Sequence, residues 1–271
     1  MNRSSENSFW IDRQLIKGLQ VQGRVLKALF MREVLTRYGR HNIGFLWLFV
    51  EPMMFTLGVT TLWYFAKANH GSDLPITAFA LSGYSSVLLW RNMPARCVAA
   101  IEPNLPLMYH RQVRVLDCFL SRLMLEAAGA TMSFTLLSVF YLSIEWVAPP
   151  EDVMKVVAAW LLLAWFGAAL ALTIGSLAFF SETVEKLWHP MSYVIFPLSG
   201  AGFIVDALPP EFQKVILYFP MVHGIEYLRE GYFGSKVHSI YDVPYLVLIN
   251  VGLTFVGLAL SRIVSRRIVP G

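Results

Sequence analysis

The sequence predicts an all-α membrane protein: six transmembrane helices, an N-terminal amphipathic interface helix, and short external re-entrant helices before the last span. Three observations predict it. Only 15% of the 271 residues are charged and 56% are apolar. A soluble domain carries about 25% charge, and charge is what a lipid-facing surface excludes. Six segments approach the roughly 20 apolar residues that cross a bilayer core. The basic residues then sort to alternate sides of those segments.

Residues 1–42 form the first unit, a cytoplasmic amphipathic segment. They lack a continuous apolar run and hold eight of the 22 Lys and Arg, which predicts no cleaved leader and a cytoplasmic start. Ile11, Leu15, Leu19, Leu26 and Phe30 recur at helical spacing, while Arg13, Lys17, Arg24 and Lys27 fall on another face. Such a helix lies at the inner membrane surface with its cations among anionic head groups, or it packs as an ordinary amphipathic helix.

Residues 43–271 form the second unit. Its spans are Ile43–Ala66, Pro75–Trp90, Val115–Ile144, Val153–Phe180, Leu187–Val205 and Val243–Val264. Polar residues or Pro and Gly interrupt the second and fifth. The external segment 206–242 holds Leu208-Pro209-Pro210 and apolar runs too short to cross, so re-entrant or interfacial helices are expected there. An even number of spans returns both termini to the cytoplasm. On that threading 17 basic residues lie inside and five outside, the bias that orients membrane proteins.

Several chemistries lack their residues. The string Gly18-Leu-Gln-Val-Gln-Gly23 is followed by Arg24-Val25, where a phosphate loop needs Lys and Ser or Thr. Any ATP hydrolysis therefore belongs to another chain. The six histidines form no metal or protease pattern, no nucleophile elbow occurs, and Cys97 and Cys118 are expected as free buried thiols. A net charge of +4 does not favour nucleic acid. Gly167, Ala171 and Gly175 form a small-residue stripe for close helix packing.

Ionisable residues at membrane depth are Glu51, Asp117, Arg122 and Glu126. Arg122 and Glu126 have the spacing of an intrahelical ion pair, and a proton relay would require acids deeper in several spans. The aromatics Trp47, Trp63, Tyr64 and Trp90, with Arg91 beside them, allow two readings. One is an interface belt. The other is a tunnel whose rings stack on the C–H faces of sugars.

Three stretches carry a resemblance. Ala28-Leu-Phe-Met-Arg-Glu-Val-Leu-Thr-Arg-Tyr-Gly-Arg40, continuing through Gly44-Phe-Leu-Trp-Leu-Phe-Val-Glu-Pro52, resembles the entry to the first span of ABC polysaccharide-export permeases. Ala100-Ile-Glu-Pro-Asn-Leu-Pro-Leu-Met-Tyr-His-Arg-Gln-Val-Arg-Val-Leu-Asp117 resembles their second cytoplasmic loop, and Pro220-Met-Val-His-Gly-Ile-Glu-Tyr-Leu-Arg-Glu230 their external segment. The likeness is to the KpsM-type permeases of Gram-negative capsule export. Gln112, Val115 and Phe219 depart from the usual pattern.

The resemblance implies a multi-pass protein of the bacterial inner membrane that exports an acidic, lipid-linked capsular polysaccharide. It implies a homodimer, two copies of a nucleotide-binding ATPase subunit, a periplasmic polysaccharide co-polymerase adaptor and an outer-membrane channel. ATP and Mg would be bound by the partner subunit, with no cofactor on this chain. Arg32, Glu33, Arg37, Arg40, Glu102, Asn104, Tyr109, Arg111 and Val113 match the coupling elements. His223, Glu226, Arg229 and Glu230 match the external gate. Export of O-antigen or teichoic acid, or ion-coupled secondary transport, are the competing readings.

Overall fold

The computed structural model describes residues 3–38, 46–66, 74–109 and 113–268. In chain order its helices are α1 (Arg3–Tyr38), α2 (Trp47–Ala66), α3 (Ile76–Cys97), α4 (Leu105–Met108) and α5 (Val115–Ser143). There follow α6 (Val153–Phe180), α7 (Glu182–Leu198), α8 (Pro210–Ile216), α9 (Pro220–Phe233) and α10 (Val243–Ile268). No strand occurs among the described residues.

By length and composition, α2, α5, α6 and α10 can each cross a membrane. α3 and α7, at the second and fifth expected spans, miss that measure for different reasons. α3 is long but polar, and every residue from Thr77 to Trp90 is buried. A helix enclosed by protein needs no apolar coat, provided its hydroxyls are satisfied. Ser82 donates to the Phe79 carbonyl at 3.0 Å, and Ser86 to that of Ser82 at 2.8 Å. α7 is short and carries Pro190 and Pro197. It begins before and ends before the expected span, because Gly200 takes φ +88° and turns the chain just past Leu198. Glycine follows helix ends in this way because it lacks the Cβ that penalises positive φ.

α3 is the hub, with α2, α5 and α6 around it and α7 and α9 covering the remainder. The small-residue stripe of α6 faces it. A Cβ on Gly167 would stand 2.7 Å from the Trp90 Cα, and one on Gly175 2.9 Å from the Cys97 Cβ. α10 closes the far side of α6 through Leu246, Asn250 and Gly257. Cys97 and Cys118 are buried and free.

α1 lies against α5. Its apolar residues divide: Leu29 and Val34 pack inward, whereas Leu19, Met31 and Leu35 stay exposed. Between α7 and α10, α8 and α9 are 7 and 14 residues long, both started by proline within the first turn. Proline is tolerated there because that N–H has no helical partner.

Candidate functional site

At one end of the bundle the chain from α3 to α5 makes a 3-10 turn, Glu102–Asn104, and the single turn α4. Pro103 and Pro106 sit at the starts of these turns. Asn104 is buried and pins the loop: its amide donates to the Ala100 carbonyl at 2.8 Å, and its oxygen accepts from Arg32. Arg32 also reaches the Pro103 carbonyl at 3.3 Å. Glu102 and Tyr109 point away from the protein, Tyr109 being 81% exposed, and Val113 packs on the core. Arg40 and Arg111 lie outside the described residues.

α1 is stitched to α5 by charged and polar pairs. Gln22 donates to Asp117, Arg122 pairs with Glu33 at 3.0 Å, and Arg37 pairs with Glu126. Arg37 also meets Glu51 of α2 at 3.5 Å, and Arg96 of α3 meets Glu126 at 3.3 Å. The intrahelical Arg122–Glu126 pair expected from spacing is thereby corrected. α1 presents Glu33 and Arg37, one turn apart, to Arg122 and Glu126, one turn apart, so each charge finds its opposite across the helix interface. Arg122 gains a further acceptor in the Arg96 carbonyl at 2.7 Å, which same-helix pairing would forgo.

Beside this network, a cavity of about 240 Å³ opens between α2, α3, α5 and α7, with Glu51, Phe55, Arg91, Glu126 and Tyr193 in its wall. Arg91 has no carboxylate within ion-pair reach among the described residues. Its guanidinium instead lies 4.3 Å from the Tyr193 ring centre and 5.7 Å from that of Phe196, and its Nε is buried without a partner. A cation held by ring quadrupoles alone retains its capacity for an anion.

From Arg91 a seam of aromatic rings follows the α2–α3–α7 junction. Phe196 meets Tyr84 at 5.6 Å and Phe55 at 6.4 Å, Tyr84 meets Trp63 at 5.6 Å, and Trp63 stacks on Phe79 at 6.1 Å. Phe79 in turn lies 3.9 Å beneath the guanidinium of Arg229. Trp63 is therefore within the seam. Tyr64 stacks instead on Trp146 at 5.7 Å, Trp47 is exposed, and Trp90 is 1% exposed in the core, its ring against Phe166.

Arg229 is 0% exposed. It donates to the carbonyls of Gly200 at 2.7 Å, Ala201 at 2.6 Å and Phe203, gathering the loop after α7. Gly83 makes room for this, since a Cβ there would collide with the Ala201 carbonyl and stand 2.9 Å from the Arg229 Nη2. Glu226, also 0% exposed, lies 3.7 Å from Arg229 and accepts from the N–H groups of Val205 and Ile240, each at 3.3 Å. His223 shares that face of α9. Glu230 instead faces α6 and pairs with Lys155 at 2.9 Å; a hydrogen bond from Tyr241 and that from Lys155 hold its carboxyl below the usual range.

Sequence reasoning missed Phe55, Tyr84, Tyr193 and Phe196 as companions of Arg91 and Trp63. The spacing of Tyr193 and Phe196, one turn apart on α7, was a signal for a shared face.

A family model described as ABC-2 type transporter matches residues 24–233. The chain is 44% identical over 270 residues to the capsule polysaccharide export inner-membrane protein CtrC of Neisseria meningitidis serogroup B, covering 100% of each chain. It is 42% identical over 254 residues to the capsule polysaccharide export inner-membrane protein BexB of Haemophilus influenzae, covering 94% of this chain and 96% of that one. A polysialic acid transport protein, KpsM of Escherichia coli, matches at 25% identity over 249 residues, covering 90% and 95%.

Proposed function

The chain belongs to the ABC-2 type transporter membrane family, and from that premise we propose that it is the permease subunit of an ATP-driven exporter of capsular polysaccharide across the bacterial inner membrane. The observation that carries this is similarity along the full length of both chains to a capsule polysaccharide export inner-membrane protein. Two copies of the chain form the membrane conduit, each threading six spans with both termini in the cytoplasm. A separate pair of ATPase subunits binds ATP and Mg. A periplasmic co-polymerase adaptor and an outer-membrane channel receive the polymer, which is acidic and lipid-linked. Segment 206–242 is the external gate, and residues 1–42 are the interface and coupling segment.

The geometry supports a route for force. The loop 102–109 presents Glu102 and Tyr109 to a partner, and Arg32 ties that loop to α1. α1 is tied by Glu33 and Arg37 to α5 and α2. A push on the loop therefore reaches α5 and α2, two of the four helices that wall the cavity at Arg91. Within that cavity Arg91 draws an anionic group of the substrate, and the aromatic seam offers rings on which sugar faces slide without being gripped.

The test is genetic and biochemical. Deleting the gene leaves polymer in the cytoplasm, and the purified chain co-elutes with its ATPase and stimulates ATP turnover in proteoliposomes. Surface polymer persisting after deletion sinks the proposal.

A further inference from the structure

One imidazole joins the α8–α9 turn to the first turn of α10. His223 is buried, and its two ring nitrogens have opposite roles. Nε2 donates to the Leu217 carbonyl at 2.8 Å, while Nδ1 accepts from the backbone N–H of Asp242 at 2.9 Å. Only the neutral tautomer with its proton on Nε2 does both. A proton on Nδ1 sets one donor against another. The Tyr245 ring stands edge-on, 5.0 Å away, and its hydroxyl donates to the Tyr218 carbonyl at 2.9 Å, so a second bond crosses the same junction. The Asp242 carboxylate meanwhile caps α10 by accepting from the Tyr245 N–H at 2.9 Å.

We propose that this junction is an acid-sensitive clasp on the external face, closed by neutral His223 and released when the ring is protonated. The imidazolium loses the Asp242 N–H and attracts the Asp242 carboxylate, so the ring competes with the Tyr245 N–H for that group. One proton thus opens the clasp and weakens the cap of α10. The charges facing the ring are few. α10 contributes Asp242. On α9 itself Glu226 and Arg229 are paired with each other, and on α8 Glu211 and Lys214 are 3.9 Å apart and exposed. The turn, Leu217 to Phe219, contributes no charge.

Burial holds the imidazole below its ordinary value, against opposing pulls from the Leu217 hydrogen bond and the Asp242 charge. The clasp is therefore intact above about pH 6.5, the value of an unperturbed histidine, and is lost as pH falls through the depressed value. It adjoins the Glu226–Arg229 network that holds the loop over the aromatic seam. Acid outside would thus loosen the segment above the conduit. The external location rests on the proposed threading.

Amide hydrogen exchange on the full chain in lipid nanodiscs tests this, as protection factors for 217–224 and 242–250 between about pH 7.5 and 5. Wild type should lose roughly tenfold in protection on acidification, as local opening becomes linked to proton uptake by the ring. His223→Gln places an acceptor and a donor at the same two positions without titrating, and should show no loss. Flat wild-type protection, or the same loss in His223→Gln, overturns the clasp. Asp242→Asn keeps a capping oxygen but removes the negative charge, so its loss should move to lower pH; an unmoved midpoint also overturns the proposal. In sealed, oriented vesicles, release by acid on the cytoplasmic face alone refutes the external placement while leaving the assignment of exporter permease untouched.

Discussion

The two ends of the helical bundle handle charge in opposite ways. At the α1–α5 end, charges meet as side-chain pairs between helices, and most retain contact with water: Arg37, Glu33, Arg122 and Arg96 are partly exposed. At the α9 end, Arg229 and Glu226 are fully buried, and most of their partners are backbone groups of the loops they organise. Exposed pairs are individually weak and exchange readily with water. A buried charge that loses its partners is costly. The difference teaches that the α1 end is built to re-register and the α9 end to hold its shape.

The largest expected effect tests the rigid end. Arg229→Met strands Glu226 and three carbonyls, so thermal unfolding in detergent should show a loss of about 3–5 kcal/mol. Arg229→Lys should recover little, because an ammonium cannot reproduce the planar fork. Stability near wild type in Arg229→Met would erase the contrast. Gly83→Val attacks the same latch from α3, pressing on the Ala201 carbonyl, and should cost about 1–3 kcal/mol with looser protease resistance around residues 200–203.

The α1–α5 end should respond more weakly. Glu126→Gln removes the charge shared by Arg37 and Arg96, and is expected to cost roughly 1–2 kcal/mol while raising labelling of a cysteine placed at Thr36. Smallest of all is Glu33 with Arg122: a double-mutant cycle should give a coupling of about 1 kcal/mol or less, falling further as salt approaches roughly 1 M. A coupling as large as the Arg229 effect would mean that both ends are rigid.

Much of the fold was legible along the chain, in particular the four apolar spans and the stripe at Gly167, Ala171 and Gly175. α3 was legible only in part. Its serines weaken the hydropathy signal, because the helix answers to neighbouring helices rather than to lipid. Among candidate site residues, Trp90 illustrates the limit: tryptophan beside Arg91 is compatible with a belt or a tunnel, and its burial against α6 follows from Gly167, 77 positions away.

By itself the sequence determined membrane class and helical content, since these depend on composition and on periods shorter than one span. Only the tertiary structure decided that Arg122 faces Glu33, that Arg229 binds carbonyls 26 to 29 residues away, and that Arg91 heads an aromatic seam. The physical reason is geometric. Spacing predicts neighbours three or four residues apart on one helix, whereas these partners are selected by how separate helices cross.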